Sequence, residues 1–517
     1  MIFSHYFNPF LKYHPRSIGG EPLCNMKLIL LFISICSILI IPEVHGQELE
    51  KVPPVSTKYK CRDTTTSFVL NTLDFHNFGN QGHARYSNTI QIVDADAPWP
   101  PRWFSSLAIF DNDSIKRADQ SQSASRMNVM MDVRFQNGGL TFYKERSVII
   151  RDNKEAEVAG YIICNSHLDP VDTLQSKGQL TVDCHDFRIN EKKEKLILLK
   201  MDTVLDLRKI SGKPQDSKVP ATINIIQVRD SANKVLFSWN PVRVLGVNAL
   251  YYPYKNTITY TASKKQNIDW SHGTSVSWDF DGDILYNFRF IGIGKISGKD
   301  GHVIWRMDRN NMPIIHQTDT LEFYSQHDFE KVSENNLYTT YSVFSNGEKD
   351  KESFVLEFRV SKKNGEIQKL KKIKPEKKIF SSGWGNYEKD EMGNYLLNYG
   401  QYLKDTGNSR HIFMEYRNRN DGINSKYELP AGIFSYKVHF LKDNRPPRPE
   451  IIQANGMLTI KGDMKEWTWY RLSGAQNTEI EKVGEGSSYA PKNSGLYCVV
   501  GKYGIGYSAS RVFEFGK

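Results

Sequence analysis

A histidine-containing phrase recurs along this chain. It reads CHDF at residues 184–187, DWSHG at 269–273 and SQHDF at 325–329. A fourth passage, GWGNY at 383–387, has similar surroundings but holds no histidine. A short turn and a strand-like run follow each phrase, so a repeating β unit can return a histidine to an equivalent place. Several imidazoles around one cavity suit chemistry on an anionic group.

The spacing of these phrases predicts a β-propeller. His185 to His272 is 87 residues, His272 to His327 is 55, and His327 to Asn386 is 59. Repeats of about 40–60 residues with several strands each are typical of propeller blades. Six blades of that size need about 300 residues, which the region 136–440 provides. The inner strands of blades face a central channel, which a residue repeated at blade starts can line.

The rest of the pattern is also that of a β protein. Helical signals are sparse, and apolar alternation and turn residues dominate. We therefore predict an all-β fold: a six-bladed β-propeller, a β-rich N-terminal segment and a small C-terminal β-sandwich that resembles an immunoglobulin-like module. The expected boundaries are 1–46 (an upstream extension plus a signal peptide), 47–135 (the N-terminal β-rich segment), 136–440 (the propeller) and 441–517 (the C-terminal module).

The start of the chain predicts export. Met26-Lys27 precedes an apolar stretch at residues 28–41, and Gly46 is followed by the expected cleavage point. Translation is expected to start at Met26. The stretch is shorter than the roughly 20 residues of a membrane span, so no stable span is expected after cleavage. We expect a periplasmic, cell-surface or secreted protein. In such a compartment Cys164 and Cys184 could form a disulfide.

The net charge of +10 mildly favours anionic partners. The densest basic run, at residues 369–379, lies where a connecting loop is expected, and no aromatic-basic RNA motif accompanies it. Nucleic acid is therefore not expected as a partner. The absence of a CxxC spacing gives no support for a metal or redox site, and no cofactor is expected.

The passage at residues 269–307 resembles the arylsulfotransferase (ASST) family. The blades of that family carry a histidine, an Asp-Gly turn, an arginine and a WR phrase. In this sequence they correspond to His272, DGD at 281–283, Arg289 and GHVIWR at 301–306. The HDF and QHD phrases extend the resemblance over about residues 137–405. It implies a secreted or periplasmic six-bladed propeller. It also implies sulfuryl transfer from one phenol to another without a nucleotide donor, through a sulfated histidine.

The resemblance implies roles for several residues. His272 and His327 match channel histidines that bind the sulfate and assist proton transfer, although each could instead be a hydrogen-bonded structural residue. His185 matches a repeated phrase and is more readily interpreted as structural. Arg289 could face the channel and bind substrate or could stabilise its blade.

Two departures from the family pattern stand out. The sulfate-accepting histidine should lie near Gly385-Asn386, where there is none, so Asn386 or His411 is the candidate at that position. A family arginine is also not evident after Asn346-Gly347, and Lys349 or Lys351 could substitute, without the bidentate fork of arginine.

Two functions follow. The first is an arylsulfotransferase-like enzyme with a small phenolic sulfate as donor and a phenol as acceptor. The alternative is a catalytically reduced propeller that binds a ligand or a surface partner. The sequence indicates neither the physiological substrates nor the oligomeric state.

Overall fold

The described part of the chain consists almost entirely of β-strands. In this computed structural model the described residues are 67–78, 83–94, 108–110, 114–117, 128–146, 160–175, 178–249, 267–308, 321–402, 411–429, 433–440, 449–462, 464–473, 479–504, 506–510 and 512–516. The α-helices within them are α1 (Arg208–Ser211) and α2 (Pro241–Leu245). In these ranges, no helix has the length and apolarity required to cross a membrane. The expected signal peptide lies outside them.

The strands are numbered in chain order. They are β1 (Ser67–Phe78), β2 (His83–Asp94), β3 (Ala108–Phe110), β4 (Ser114–Arg117), β5 (Asn128–Gln136), β6 (Gly139–Arg146), β7 (Gly160–Cys164), β8 (Pro170–Gln175), β9 (Leu180–Ile189), β10 (Lys195–Leu205), β11 (Val219–Arg229), β12 (Val235–Trp239), β13 (Ile268–Asp269), β14 (Gly273–Trp278), β15 (Ile284–Phe288), β16 (Gly292–Ile296), β17 (Val303–Asp308), β18 (Asp328–Glu334), β19 (Tyr338–Ser345), β20 (Phe354–Ser361), β21 (Ile367–Ile373), β22 (Ser381–Gly383), β23 (Asn386–Lys389), β24 (Tyr395–Asn398), β25 (Gln401–Tyr402), β26 (His411–Arg417), β27 (Ile423–Leu429), β28 (Ile433–Phe440), β29 (Glu450–Ala454), β30 (Met457–Lys461), β31 (Lys465–Ser473), β32 (Glu479–Glu485), β33 (Ser488–Tyr489), β34 (Gly495–Tyr503), β35 (Gly506–Ala509) and β36 (Phe513–Phe515).

Consecutive strands form antiparallel sheets that succeed one another along the chain. The sheets are β5-β6-β7-β8, β9-β10-β11-β12, β14-β15-β16-β17, β18-β19-β20-β21 and β23-β24-β26-β27. In a further sheet β28 pairs with β1, and β1 with β2, so that Phe440 is opposite Phe68 and Phe434 is opposite Leu73. The prediction of an all-β fold with several antiparallel sheets is confirmed.

The first strands of these sheets surround a common axis. β5 contacts β9, β9 contacts β14, β14 contacts β18, β18 contacts β23, β23 contacts β28, and β28 contacts β5. This closed ring of inner strands is the arrangement of a β-propeller. Since β1 and β2 extend the sheet of β28, strands from the start and from the end of the propeller sequence together close its ring of sheets.

One residue of each inner strand lies in what we call the axial ring. Its members are Asp132, Asp186, Ser275, Asp328, Asn386 and Lys437. Four of them accept a hydrogen bond of 2.9 to 3.3 Å from the backbone N–H just after the ring residue of the next strand: Asp186 from Val276, Ser275 from Phe329, Asp328 from Tyr387, and Asn386 from Val438. This repeated bond fixes each sheet against its neighbour and so fixes the places from which the histidines project.

The axial ring is charged although it is buried. Lys437 Nζ lies 3.2 Å from Asp186, 3.8 Å from Asp328 and 4.0 Å from Asp132. Burial raises the pKa of Asp328 to about 7 and that of Asp132 to about 6. For Asp186, Arg188 and Lys437 outweigh burial and hold its pKa below the usual range. Lys437 therefore lies near carboxylates from three different sheets, and Arg134 and Arg188 add positive charge beside Asp186.

The C-terminal residues contribute to two sheets. One has the order β29-β30-β33, and the other, β32-β31-β34-β35, continues through β3 into the sheet of β2, β1 and β28, with β36 paired to β34. Trp469 and Tyr497 are fully buried between apolar residues of both sheets. Tyr497 Oη donates to the backbone carbonyl of Asn493 at 2.8 Å, as in the tyrosine corner of immunoglobulin-like sandwiches. Two sheets therefore pack against each other at this end, but one of them is continuous with the sheet of β28, β1 and β2 rather than part of a small separate module.

Candidate functional site

Three of the predicted histidines converge at the centre of the propeller. His185 lies on β9, and His272 and His327 lie immediately before β14 and β18. The ring centroids of His185 and His272 are 5.2 Å apart, and those of His272 and His327 are 6.3 Å apart. We call these three residues the histidine centre. Residues that are distant in sequence meet here because each precedes or occupies an inner strand.

Each ring of the histidine centre is held through its Nδ1 atom. The acceptors are Asp183 for His185 at 2.5 Å, Asp269 for His272 at 2.6 Å and Asn346 for His327 at 2.7 Å. A hydrogen bond at one ring nitrogen fixes the tautomer and the orientation of an imidazole. The opposite nitrogen, Nε2, is therefore the atom that each ring can present to a substrate.

The tautomer of His327 follows from the hydrogen bonds of Asn346. The Asn346 amide nitrogen donates to the backbone carbonyls of Ser381 at 2.9 Å and Trp384 at 2.8 Å. Its oxygen must therefore face His327, whose Nδ1 is the donor. Burial, followed by the positive charge of Arg289, lowers the pKa of His327 well below its usual value. His327 is thus a neutral imidazole whose Nε2 carries a lone pair.

His272 lies between the other two histidines and has an ionised partner. Its backbone is in the left-handed region, with φ +48°, and Asp269 accepts both its Nδ1–H and its backbone N–H. Burial lowers the pKa of His272 despite the Asp269 carboxylate. An anion bound beside the ring would favour its protonation, since nearby negative charge raises the pKa of a histidine.

His185 is the charged member of the centre. Although burial opposes a charge, the Asp183 carboxylate raises the pKa of His185 to about 10. Lys200 Nζ lies 3.3 Å from the other oxygen of Asp183, which also accepts a hydrogen bond from the Asn224 amide at 2.7 Å. These partners occupy both carboxylate oxygens, so Asp183, Cys184 and His185 are better described as a hydrogen-bonded group than as metal ligands.

Arg289 directly follows β15 and brings a guanidinium group to the histidine centre. One Nη atom donates to the backbone carbonyl of Ser382 at 3.0 Å. Its Nε atom is buried and has no hydrogen-bond partner among the described residues. The positive charge of Arg289 acts on both His272 and His327. An arginine with an unused donor beside neutral imidazoles is suited to bind an oxyanion.

Asn386, which was expected near the acceptor position, belongs to the axial ring instead. Its Nδ2 donates to the Val438 carbonyl at 2.7 Å, and its Oδ1 accepts the Val438 N–H at 2.9 Å. The preceding residue, Gly385, has φ +104°, and a Cβ atom there would lie 2.7 Å from both the Asn398 carbonyl oxygen and the Phe344 ring. The structure therefore leaves no room for a histidine side chain at Gly385.

The other expected site residues have partners or places outside the histidine centre. Lys349 has a side chain that is 55% exposed, and its Nζ lies 3.6 Å from Glu322. Lys351 is exposed and lies over the Phe380 ring. His411 is on β26, which lies two strands outward from the inner strand β23, and its side chain is outside the described residues.

The disulfide expected between Cys164 and Cys184 is absent from the structure, where both residues are free thiols. Cys164, on β7, is buried in an apolar cluster with Leu140 and Phe142, and burial raises its pKa to about 12. Cys184 Sγ instead lies 3.8 Å from Nδ1 of His185. The two thiols thus have different surroundings.

Aromatic side chains adjoin the histidine centre. The Tyr436 ring is 6.0 Å from that of His185 and 5.8 Å from that of Trp384, and Phe290 is 5.1 Å from His272, all between centroids. Tyr436 also donates its hydroxyl to the backbone carbonyl of His185 at 2.7 Å. Flat apolar surfaces of this kind can contact a phenol ring.

The spacing of the three histidines does not suit a shared metal ion. Among the described residues, the potential ligand atoms that converge belong to Asp183, Cys184 and His185, and this group includes neither His272 nor His327. Zinc–nitrogen bonds of about 2.0–2.1 Å require coordinated nitrogens to converge closely. A larger tetrahedral oxyanion can be contacted from nitrogens that are farther apart.

Several residues of the site were missed from the sequence. Asp183, earlier on the same strand, contacts His185, Asn346 contacts His327 from the end of β19, and Lys200 pairs with Asp183 from β10. Asp269 alone is visible in a histidine phrase, three residues before His272. The Asn-Gly pair at 346–347 was considered as the phrase that should precede a family arginine, so the role of Asn346 itself was not predicted.

Comparison with known proteins identifies a family. The sequence model described as "Arylsulfotransferase (ASST)" matches residues 147–419, which is more than half of the 517-residue chain. No curated protein matches the chain.

Solved structures give only weak similarity. One is a protein of unknown function from Bacteroides caccae, 7% identical with TM-score 0.39, covering 74% of this chain and 100% of that one. Another is the extracellular domain of a hybrid two-component system, BT3049 from B. thetaiotaomicron, with 10% identity, TM-score 0.30 and coverage of 85% and 72%. The quinohemoprotein alcohol dehydrogenase of Comamonas testosteroni has 10% identity, TM-score 0.26 and coverage of 83% and 70%. Similarity this weak carries no information about function.

The family match spans the phrases that carry His185, His272 and His327, together with Arg289 and Asn346. All five residues lie at or beside the histidine centre. The chain therefore belongs to the arylsulfotransferase (ASST) family.

Proposed function

We propose that this protein transfers a sulfuryl group from a small phenolic sulfate ester to a phenolic acceptor, with His327 as the nucleophile. Membership of the family supports an arylsulfotransferase-like function in general. The observation that carries the choice of His327 is its hydrogen bond to Asn346, which leaves a neutral ring with a lone pair on Nε2.

The reaction has two displacement steps at sulfur. In the first, Nε2 of His327 attacks the sulfur atom, and the ester S–O bond breaks with its electron pair leaving on the phenolate oxygen. The product is an N-sulfonated imidazolium, whose Nδ1–H remains bound to Asn346. In the second step, the oxygen of the acceptor phenol attacks sulfur, and the electron pair of the N–S bond returns to Nε2.

Arg289 and His272 are the residues that would hold the sulfuryl oxygens. The buried Nε–H of Arg289 has no partner among the described residues and can donate to an oxyanion. His272 becomes a donor when the anion favours its protonation, and Asp269 stabilises the resulting charge. Both interactions strengthen as negative charge develops on the transferring group, which is the requirement for lowering the barrier.

The surroundings of the site form part of the proposal. Tyr436, Trp384 and Phe290 would contact the phenol rings. The closed ring of six inner strands supports the inference of six blades. The last blade would consist of β28, β1 and β2. Export through the leader expected at residues 1–46 would place the enzyme in the periplasm, at the cell surface or outside the cell. There it would take the sulfuryl group from an aryl sulfate, without a nucleotide donor.

The second candidate is a propeller that binds a ligand without turnover. The observation that favours it is the absence of space for a histidine at Gly385, where the family acceptor was expected. It predicts that an aryl sulfate binds at the histidine centre but is not cleaved.

The experiment is incubation of the purified protein with a chromogenic aryl sulfate, with and without phenol. We expect phenol-dependent release of the chromogenic phenol, and its loss in a folded His327→Ala variant. If there is no phenol-dependent release and His327→Ala has no effect, sulfuryl transfer at this centre is refuted. Binding of the aryl sulfate without release would support the second candidate.

A further inference from the structure

His185 has surroundings that differ from those of the other two histidines. Asp183 Oδ1 accepts both the Nδ1–H and the backbone N–H of His185, at 2.5 and 2.9 Å. Tyr436 donates its hydroxyl to the carbonyl of the same residue. The ring is therefore fixed through Nδ1 and the backbone through its N–H and carbonyl, with Nε2 on the edge opposite the carboxylate. No hydrogen-bond partner of Nε2 is found among the described residues.

The charges around His185 separate it from His327. Asp183 is buried, and Lys200 and His185 hold its pKa below the usual range despite burial. His185 is thus paired with an ionised carboxylate, whereas the partner of His327 is the neutral amide of Asn346. Lys200 lies on the far oxygen of Asp183 and balances the carboxylate when His185 gives up its proton. Two histidines of one centre held at different protonation states are the arrangement that acid–base catalysis uses.

We propose that His185 is the acid–base residue of the transfer, with Asp183 and Lys200 as its positioning residues. This inference rests on the proposed function. In the first step His185 Nε2–H protonates the departing phenolate oxygen, which leaves a neutral His185 and a free phenol. In the second step the neutral Nε2 accepts the proton of the acceptor phenol while its oxygen attacks the sulfur on His327. The proton count and the charge of the enzyme are restored after one cycle.

The chemistry of the substrates agrees with this role. A phenol has a pKa of about 10, and the pKa of His185 is raised to about 10. A proton shared between groups of matched pKa moves in either direction with little cost, which a symmetrical phenol-to-phenol transfer requires. His272 adjoins His185 at 5.2 Å and His327 at 6.3 Å between centroids, so the acid and the nucleophile can contact one substrate.

The test varies the leaving group. Release of phenol from phenyl sulfate, and of nitrophenol from 4-nitrophenyl sulfate, is measured in single turnovers without acceptor for wild type and His185→Gln. Nitrophenolate leaves readily without a proton, whereas phenolate needs one. We expect His185→Gln to slow release from phenyl sulfate by about 10²–10⁴-fold, the range of general acid catalysis, and to slow release from 4-nitrophenyl sulfate far less.

A matched control is available on the surface. His302 has the same pairing with the residue two positions earlier, since its Nδ1 lies 2.7 Å from Asp300, but its side chain is 64% exposed. His302→Gln should leave both rates unchanged. If His185→Gln does not fold, Asp183→Asn is measured in the same series and should show the same dependence on the leaving group.

The outcomes separate this inference from the proposed function. Equal slowing with both esters in a folded variant would mean that His185 is structural, and would overturn the inference while leaving sulfuryl transfer intact. No release from either ester by the wild-type protein would instead overturn the proposed function. A selective loss with phenyl sulfate supports both.

Discussion

Asn346 Oδ1 accepts the Nδ1–H of His327 at 2.7 Å, and two backbone carbonyls fix the orientation of this amide. Those carbonyls belong to Ser381 and Trp384, at the start of the next sheet. The packing of one sheet against another thus determines which nitrogen of His327 carries the proton. The proposed nucleophile depends on this contact as much as on the histidine itself.

The first prediction concerns pH. Because burial and Arg289 hold the pKa of His327 well below 6.5, donor cleavage should stay constant as the pH falls through that value. In Asn346→Asp a carboxylate would stabilise the imidazolium and raise the pKa of His327. Activity should then be lost as the pH falls through the raised pKa. Single-turnover rates between about pH 8 and about pH 5 measure this, and an unchanged profile in a folded variant would contradict it.

A second prediction concerns Arg289. In the wild type, the planar guanidinium donates to Ser382 through Nη and has its Nε–H available for the sulfate. Arg289→Lys keeps the positive charge but loses this arrangement of donors. We expect kcat/KM for the aryl sulfate to fall by about 10²-fold, as when one transition-state donor is removed. Arg359→Lys is the control, since Arg359 stacks on Tyr338 and bonds to Gln368 away from the centre. Equal activity of both variants would exclude Arg289 from anion binding.

Much of this site was predictable because the histidines occur in recurring local phrases. The all-β fold followed from the turn residues and apolar alternation. His185 and His327 each lie one residue before the axial-ring residue of their strand, so the position that corresponds to them in the strand of Asn386 is Gly385. His272 lies three residues before Ser275, because the pairing between Gly273 and Ser275 is irregular, and spacing in sequence does not reveal a β-bulge.

The contacts made across sheets were not predictable. Lys200 reaches Asp183 from β10, and Asn346 reaches His327 from the end of β19. These contacts depend on strand register and on the rotation of one sheet against the next, which no local pattern encodes. The pairing of β1 with β28 is of the same kind, because it joins segments separated by more than 300 residues.

A third prediction concerns Gly385. Gly385→His should not supply an acceptor histidine, because its Cβ would collide with the Asn398 carbonyl and the Phe344 ring. We expect destabilisation well beyond the ~1–2 kcal/mol cost of a left-handed residue. Gly365→Ala isolates that cost, since Gly365 has φ +70° and no atom lies within 4 Å of the position that a Cβ would occupy. Urea denaturation compares the free energies of unfolding of the two variants. A stable, more active Gly385→His variant would refute this account of the sheet β23-β24-β26-β27.

A fourth prediction concerns the axial ring. Lys437→Met would remove the cation that Asp132, Asp186 and Asp328 share. Arg134 remains 3.9 Å from Asp132 and 3.6 Å from Asp186, so the loss falls mainly on Asp328. Removing one partner of a buried ion pair costs about 3–5 kcal/mol. Lys362→Met, which breaks an exposed pair with Glu334, should cost less than about 1 kcal/mol. Similar unfolding midpoints for both variants would show that the ring does not stabilise the propeller.

The central claim is that His327 carries the sulfuryl group between donor and acceptor. The protein is incubated with an aryl sulfate without acceptor, quenched, digested and examined by mass spectrometry. We predict one added SO₃ group on the peptide that contains His327, its disappearance when phenol is added before the quench, and its absence in His327→Ala. Phenol-dependent transfer with no sulfonated His327, or with the group on His272 or His411, would contradict the account.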